Sequence, residues 1–254
     1  MTLPARRLPH DPRALEALLR DGQVRRAPAL SPRAPKALPT GVKALDAALG
    51  GGLLRGCLHE IVGPPGAGGT ALLRAALASA TGQGELCALI DPGDSFDARQ
   101  PGIDLSRLLW VRPKDPLQAL RAAEIALEAR FALVAVDLGD LSVLPPVRKP
   151  KGVIEVVRFE AASRRQPLGG SPWARLARRA EKHGGALLVL ARAAQAGTFA
   201  AATIELERGR TLWEGKPGAP GRYLRGAQAV GAVARHKRMP PSAPWPLLLP
   251  LAGG

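Results

Sequence analysis

The 254-residue chain is poor in the residues that carry metal and thiol chemistry: it has two cysteines, Cys57 and Cys87, and four histidines. Two cysteines cannot build the disulfide framework of a small secreted domain, and their spacing is not that of a zinc site. No histidine falls in an HExxH pattern, so no metal is expected. Aromatics are scarce too, with four Trp, one Tyr and four Phe, and their scatter argues against a platform for stacking bases. No run approaches the roughly 20 uncharged apolar residues of a membrane helix, and the N-terminus MTLPARRLPHDPRALEALL lacks the apolar centre of a signal peptide. The protein is therefore expected in the cytoplasm, with no membrane contact.

Acidic residues are sparse in one half only. Against 36 Lys and Arg stand 21 Asp and Glu, a net charge of +15. Residues 1–40 contribute +5, residues 41–147 contribute −3 and residues 148–254 contribute +13. A field of one sign favours a polyanion or an acidic protein, although solvated arginines in an Arg- and Ala-rich chain give the same count without a partner. At 46% hydrophobic and 22% charged residues the chain can bury a substantial core, which excludes a wholly disordered chain.

Three regions follow from texture. Residues 1–37 hold a short helical candidate, 12–20, with Leu15, Leu18 and Leu19 on one side, then the Pro/Arg-rich RRAPALSPRAPKALP, read as an arm and a linker. From there to residue 238, apolar runs (58–63, 86–91, 132–137, 186–191) alternate with helical patterns (71–80, 116–129, 172–183). Continuous apolar strands between helices are the pattern of a parallel sheet covered on both faces. ATIELE and AVGAVARH are expected to add antiparallel strands. Residues 239–254 are proline-broken and expected to be an extended tail. There is no internal repeat.

The chemistry concentrates at HEIVGPPGAGGTALLRAAL, a strand, a glycine-rich turn and a helix. Gly63 to Thr70 matches the phosphate-loop pattern GxxxxGK[ST], with Gly66 and Gly68 in the turn, except that Gly69 stands where the lysine belongs. In such a loop the backbone N–H groups surround phosphates, the lysine neutralises their charge and the Ser/Thr holds Mg2+. Asp137 closes a later strand as the acidic partner. Cradle and Thr70 are present without the cation, so ATP hydrolysis is not expected; the glycines could equally serve only a tight turn. His59 beside Glu60 reads as a packing pair, since no nucleophile lies in pattern with it.

These residues resemble the RecA family, an α/β phosphate-loop fold with a mainly parallel central sheet flanked by helices and with antiparallel C-terminal strands. The resemblance runs over about 38–245, through LPTGVKALDAALGGGLLRG with Asp46 and Gly50 to Gly52, through LCALIDPGDSFDA, through the strand ending at Asp137, and into AVARHKRMPPSAPW. It places the catalytic glutamate position on Gly93, one residue before Asp94. The late-strand lysine positions fall on Arg235 and Lys237. Only RAAQAGTFAA stands where the second DNA-binding loop would be. Within the superfamily, GGGLLRGCLHEIVG with the altered loop and the basic tail is similar to the ImuA family, distantly SulA-like. That resemblance implies no cofactor and no catalysis, and a scaffold in SOS-induced error-prone translesion synthesis that binds RecA and ImuB, the inactive Y-family polymerase homologue. The alternatives are a RecA/RadA/KaiC-like ATPase with its cation supplied in trans and a SulA-like division inhibitor.

Two surfaces complete the reading. In SPWARLARRAEKHGG, Arg175, Arg178, Arg179 and Lys182 fall on one helical face. With Arg164, Arg165, Arg235 and Lys237 they are candidates for weak, non-specific DNA binding or an acidic partner, or form an ordinary solvated face. Leu15, Leu18 and Leu19 and the tail residues Trp245, Leu247, Leu248 and Leu249 are candidates for docking on a protein partner, the alternative being that the tail lies on its own sheet.

Overall fold

The computed structural model describes residues 37–99, 101–139, 171–218 and 220–250. A two-residue strand β1 (Ala37–Leu38) pairs antiparallel with β2 (Leu53–Leu54), and the helix α1 (Lys43–Ala48) lies between them. The Asp46 carboxylate fixes this entry segment by accepting from the Thr40 N–H and hydroxyl at 2.8 and 2.7 Å. Gly52, at φ +125°, passes so close to Leu38 that a Cβ would collide with its carbonyl oxygen.

The main sheet is built from β3 (Leu58–Val62), β4 (Cys87–Ile90), β5 (Leu108–Val111), β6 (Leu133–Gly139), β7 (Ala186–Ala191), β8 (Ala200–Glu214), β9 (Tyr223–His236) and β10 (Trp245–Pro250), in the order β10-β9-β8-β3-β7-β6-β4-β5. All pairs from β8 to β5 are parallel, while β8–β9 and β9–β10 are antiparallel. The helices are α2 (Gly69–Gly82), α3 (Pro116–Glu128) and α4 (Pro172–His183).

The central strands are apolar without interruption because both faces are covered. Along β6, Leu133 and Ala135 enter one core with Leu72, Leu77 and Leu188, while Val134 and Val136 enter the other with Leu120, Leu127, Trp173 and Leu176. Each fully buried Leu or Val stabilises the fold by about 1.5–3 kcal/mol through apolar burial. The helices begin and end where their caps dictate. Asp115 accepts from the Gln118 N–H at 2.8 Å with Pro116 in the first turn, and Gly184 closes α4 in the left-handed region at φ +78°.

Two sequence expectations need correction. The tail from 239 is not a separate extension: Trp245–Pro250 is a strand of the sheet, registered on Gly226–Gly231 of β9. Trp245 and Leu247 are 8% and 6% exposed, because the Trp245 ring lies on Gly231, where any Cβ would strike it. Those two side chains belong to this chain's core and are not available to a partner; Leu248 points outward at 63% exposure, and Leu249 keeps register opposite Ala227. The C-terminal strands are also longer than ATIELE and AVGAVARH. β8 pairs with β3 only through Glu205, and β8 and β9 continue together to Glu214 and Tyr223. Among the described residues no helix is long and apolar enough to cross a membrane.

Candidate functional site

The glycine-rich turn leaves β3 at Val62 and enters α2 at Gly69. Gly66 and Gly68 hold φ of +78° and +94°, a conformation side chains resist, so the turn needs glycine there. Gly68 caps the helix without a side chain, leaving the first N–H groups of a 14-residue helix without intrahelical partners.

Gly63, Gly66, Gly69, Thr70 and Asp137 come together around one cavity of about 540 Å3. Gly93, Ser95 and Lys114 border it from the β4 and β5 ends, and Leu190, Arg192 and Leu206 from β7 and β8. These positions lie at or just beyond the C-terminal ends of the parallel strand pairing, the mouth where α/β folds bind ligands.

A pair of acids lies at its base, Asp137 lining the cavity and Asp91 buried beside it. Asp91 is fully buried and accepts from the Phe96 N–H at 2.9 Å. Asp137 is 8% exposed and accepts from the Gly139 N–H at 2.9 Å. The Ser95 hydroxyl lies 3.3 Å from Asp91 Oδ1 and 3.4 Å from Asp137 Oδ2. Burial, with the Asp91 carboxylate beside it, holds the Asp137 pKa above the ordinary carboxylate value, against the Gly139 N–H and the Ser95 hydroxyl, which favour its charge. Gly93 is exposed at the rim and presents no side chain there.

Position 69 is occupied from the side. A Cβ on Gly69 would lie 2.5 Å from Leu190 Cδ1 and 3.4 Å from Cδ2, so the Leu190 methyl groups take the first part of the path a side chain would follow. The cations near the cavity come from elsewhere. Lys114 and Arg192 line it, and Arg208 donates from Nε to the Pro65 carbonyl at 2.6 Å. Sequence reasoning missed Arg208. β8 lies beside β3 in parallel with Glu205 opposite Val62, and only that pairing brings position 208 to the loop.

Glu60 and His59 have definite structural work. Glu60 Oε1 accepts from the N–H groups of Gln195 and Ala196 at 2.7 and 2.8 Å, which ties down the connection after β7. His59 accepts from the Leu54 N–H at 3.2 Å. Complete burial, with His236 nearby, pushes its pKa down to about 3.

The basic stripe on α4 is divided. Arg175 and Arg179 are ion-paired with Glu124 and Glu128 of α3, with Arg175 Nε 2.9 Å from Glu124, whereas Arg178 and Lys182 are exposed. The expected four-cation surface is thus reduced to two, because α3 presents carboxylates at the spacing of its neighbour's arginines. Arg235 is committed to the carbonyls of Gly197 and Ala200, and Lys237 is exposed. Arg164, Arg165, Leu15, Leu18 and Leu19 lie outside the described residues.

A glycine loop between a strand and a helix, with an acid near the end of a parallel strand two places along the sheet, defines a phosphate-loop α/β domain. Residues 21–149 match the family described as the RecA N-terminal domain, and the chain belongs to that family. It is 42% identical over 106 residues to Protein RecA of Cutibacterium acnes, covering 40% of this chain and 30% of that protein. Against Protein RecA of Chloroflexus aurantiacus it is 36% identical over 121 residues, covering 46% and 34%. The aligned part is thus about a third or less of the length of these curated relatives. The crystal structure of the RadB recombinase superposes with a TM-score of 0.55 at 20% identity, over 82% of this chain and 94% of that one, a likeness of fold.

Proposed function

We propose that this chain is a catalytically inactive RecA-like scaffold in SOS-induced error-prone translesion DNA synthesis, binding RecA and an ImuB-like inactive polymerase homologue. The observation that carries the inactive reading is the Leu190 side chain, which lies in the space beside Gly69. The loop position that would carry the cation is Gly69, and the Leu190 methyl groups lie beside it at the wall of an otherwise open cavity. Phosphoryl transfer depends almost entirely on charge neutralisation and positioning. With Gly69 supplying no charge and Gly93 no carboxylate, neither tight ATP binding nor hydrolysis is expected.

Calorimetry with Mg-ATP tests this directly. Affinity weaker than about 1 mM, roughly −4 kcal/mol, is the expected result, and micromolar binding refutes it. Co-purification with RecA and with an ImuB-like protein tests the scaffold; failure with both overturns the assignment. One observation favours an ATPase completed in trans: the cavity beside the glycine turn is open, with about 540 Å3 of space that a neighbouring molecule's cation could enter. That reading requires nucleotide-dependent self-association, which light scattering with and without Mg-ATP decides.

A further inference from the structure

The layer of helices on one face of the sheet stops short. α3 lies on β4 and β6, and α4 on β7 and β3. That is one helix to each pair of strands, as spacings of about 8–10 Å between helices and about 4.8 Å between strands require. β8 and β9 are the next pair. Among the described residues no helix lies over them on that face, although α1 and the core with Leu45 and Val233 cover the other.

Register sets which side chains the bare face presents. Glu205 stands beside Val62 of β3 and opposite Ala232 of β9, Glu207 is opposite Val230, and Val230 is opposite Pro246 of β10. The alternate residues Ile204, Leu206, Val233 and Trp245 turn into the core, so the acids share the outer face with Val230, Pro246 and Leu248. Val230 is 39% and Leu248 63% exposed, and Glu205, Glu207 and Pro246 are exposed as well. Past Arg208, β8 and β9 run on as a two-stranded ribbon, 212–214 against 223–225, because β10 pairs with β9 only between Gly226 and Gly231. The ribbon carries Arg210, Lys216, Arg222 and Arg225, which leaves the sheet face to the acids.

These carboxylates are unusual in a chain of net charge +15. Among the described residues neither Glu205 nor Glu207 has an ion pair or a hydrogen bond. Arg235, opposite Thr203 at the start of the face, is already committed to the carbonyls of Gly197 and Ala200. We propose that this face docks a cationic amphipathic helix of another protein, which takes the third place in the helix layer. Lys or Arg at i and i+4, about 6 Å apart along a helix, meet Glu205 and Glu207, about 7 Å apart along β8. The apolar stripe of the same helix covers Val230, Pro246 and Leu248. A strand cannot extend the sheet here, since Pro246 and Pro250 remove N–H donors from the open edge of β10. The docking needs no nucleotide in the cavity and does not rest on the identity of the partners proposed above.

The test titrates the full chain into a fluorescein-labelled Leu/Lys peptide of helical period, about five turns long. A scrambled peptide of the same composition and a Leu/Glu peptide of the same period are the controls. The protein's net charge opposes non-specific association of a cationic peptide, so saturable anisotropy with the periodic Leu/Lys peptide alone reports a local acidic site. Glu205→Gln with Glu207→Gln, and separately Val230→Thr with Leu248→Ser, should each weaken binding about 10-fold. Leu117→Ser with Ile125→Ser, at exposed apolar positions of α3, should leave it unchanged. No binding of the Leu/Lys peptide, equal binding of either control, or binding unchanged in either double variant on the face would overturn the proposal. So would a dimer in sedimentation velocity that the Gln pair dissolves, which makes a second copy the occupant. A thermal midpoint lowered by the Gln pair would assign the face to a segment of this chain and overturn it equally. If Val230→Thr/Leu248→Ser fails to fold, the Gln pair, which changes no volume in the core, decides alone.

Discussion

The contact between Gly69 and Leu190 makes a quantitative prediction through a double-mutant cycle. Gly69→Ala places a Cβ 2.5 Å from Leu190 Cδ1; that methyl ends a flexible side chain at an open cavity wall and can turn aside, so the cost is about 1–1.5 kcal/mol, the low end for overpacking. Gly69 is the first residue of α2, where replacing glycine returns at most the about 0.5–1 kcal/mol of a helix interior, so the single variant should lose about 0–1 kcal/mol. For a domain of this size that is at most roughly 4 °C in Tm. Leu190→Ala alone removes a side chain that is 8% exposed at the cavity wall and should cost about 2–3 kcal/mol, the lower part of the Leu→Ala range, because the cavity is already open on one side. With Leu190 shortened the collision disappears, and Gly69→Ala becomes stabilising by the helix contribution. The coupling energy is then about 1–1.5 kcal/mol, readable by urea unfolding followed by circular dichroism. The same relief should let Gly69→Lys/Leu190→Ala gain at least about 10-fold in Mg-ATP affinity over wild type, as expected of one charged hydrogen bond to phosphate. Additivity of the two alanine substitutions within about 0.5 kcal/mol would refute the claim that Leu190 occupies the path from position 69.

Two further outcomes follow from burial. His59 has a folded pKa of about 3 against about 6.5 unfolded, so below pH 6.5 the unfolded chain binds the extra proton and stability falls with pH, by about 2 kcal/mol at pH 5. Asp137 acts in the opposite sense: its pKa is raised, so just above the ordinary carboxylate value the folded state takes the proton and gains stability as pH falls. His59→Gln should remove most of the loss between pH 7 and about pH 5, and an unchanged pH slope in urea unfolding would contradict the buried, neutral histidine. Truncation after Met239 should lower Tm by roughly 6–20 °C, from the about 3–5 kcal/mol that removing a buried Trp costs; an unchanged melting curve would mean that β10 contributes nothing to the core.

The parallel core was readable because its pattern is local. Leu133 to Val136 is apolar at every position, and Asp115-Pro116 and Gly184 punctuate the helices with the residues that caps require. The last strand was harder for the opposite reason. Prolines 244 and 246 speak against a helix and against a central strand, but an edge strand tolerates them, and β10 is an edge. What makes it a strand is Gly231, fourteen residues before Trp245, which clears the surface for the indole ring. The ribbon was missed because RGRTLWEGKPGAPGRYLRG has the glycine, proline and arginine content of a loop; register on the partner strand, not composition, extends β8 and β9 through it.

The charge count shows where composition stops informing on a surface. Arg175, Arg178, Arg179 and Lys182 do fall on one face of α4, as their spacing requires, but spacing within one helix says nothing about the helix beside it. α3 sets Glu124 and Glu128 at the same i, i+4 interval, and two of the four cations are consumed between helices. Partly buried pairs such as Arg175 with Glu124, at 22% and 18% side-chain exposure, are screened less by salt than exposed ones, so this neutralisation persists where a surface pair would fade. The ribbon is different. Among the described residues its acid is Glu214, which reaches Arg225 only at 3.9 Å with both side chains more than half exposed, a contact worth little in water. Net positive potential therefore survives on the ribbon and is halved on the helix, the reverse of what counting arginines along the chain suggests.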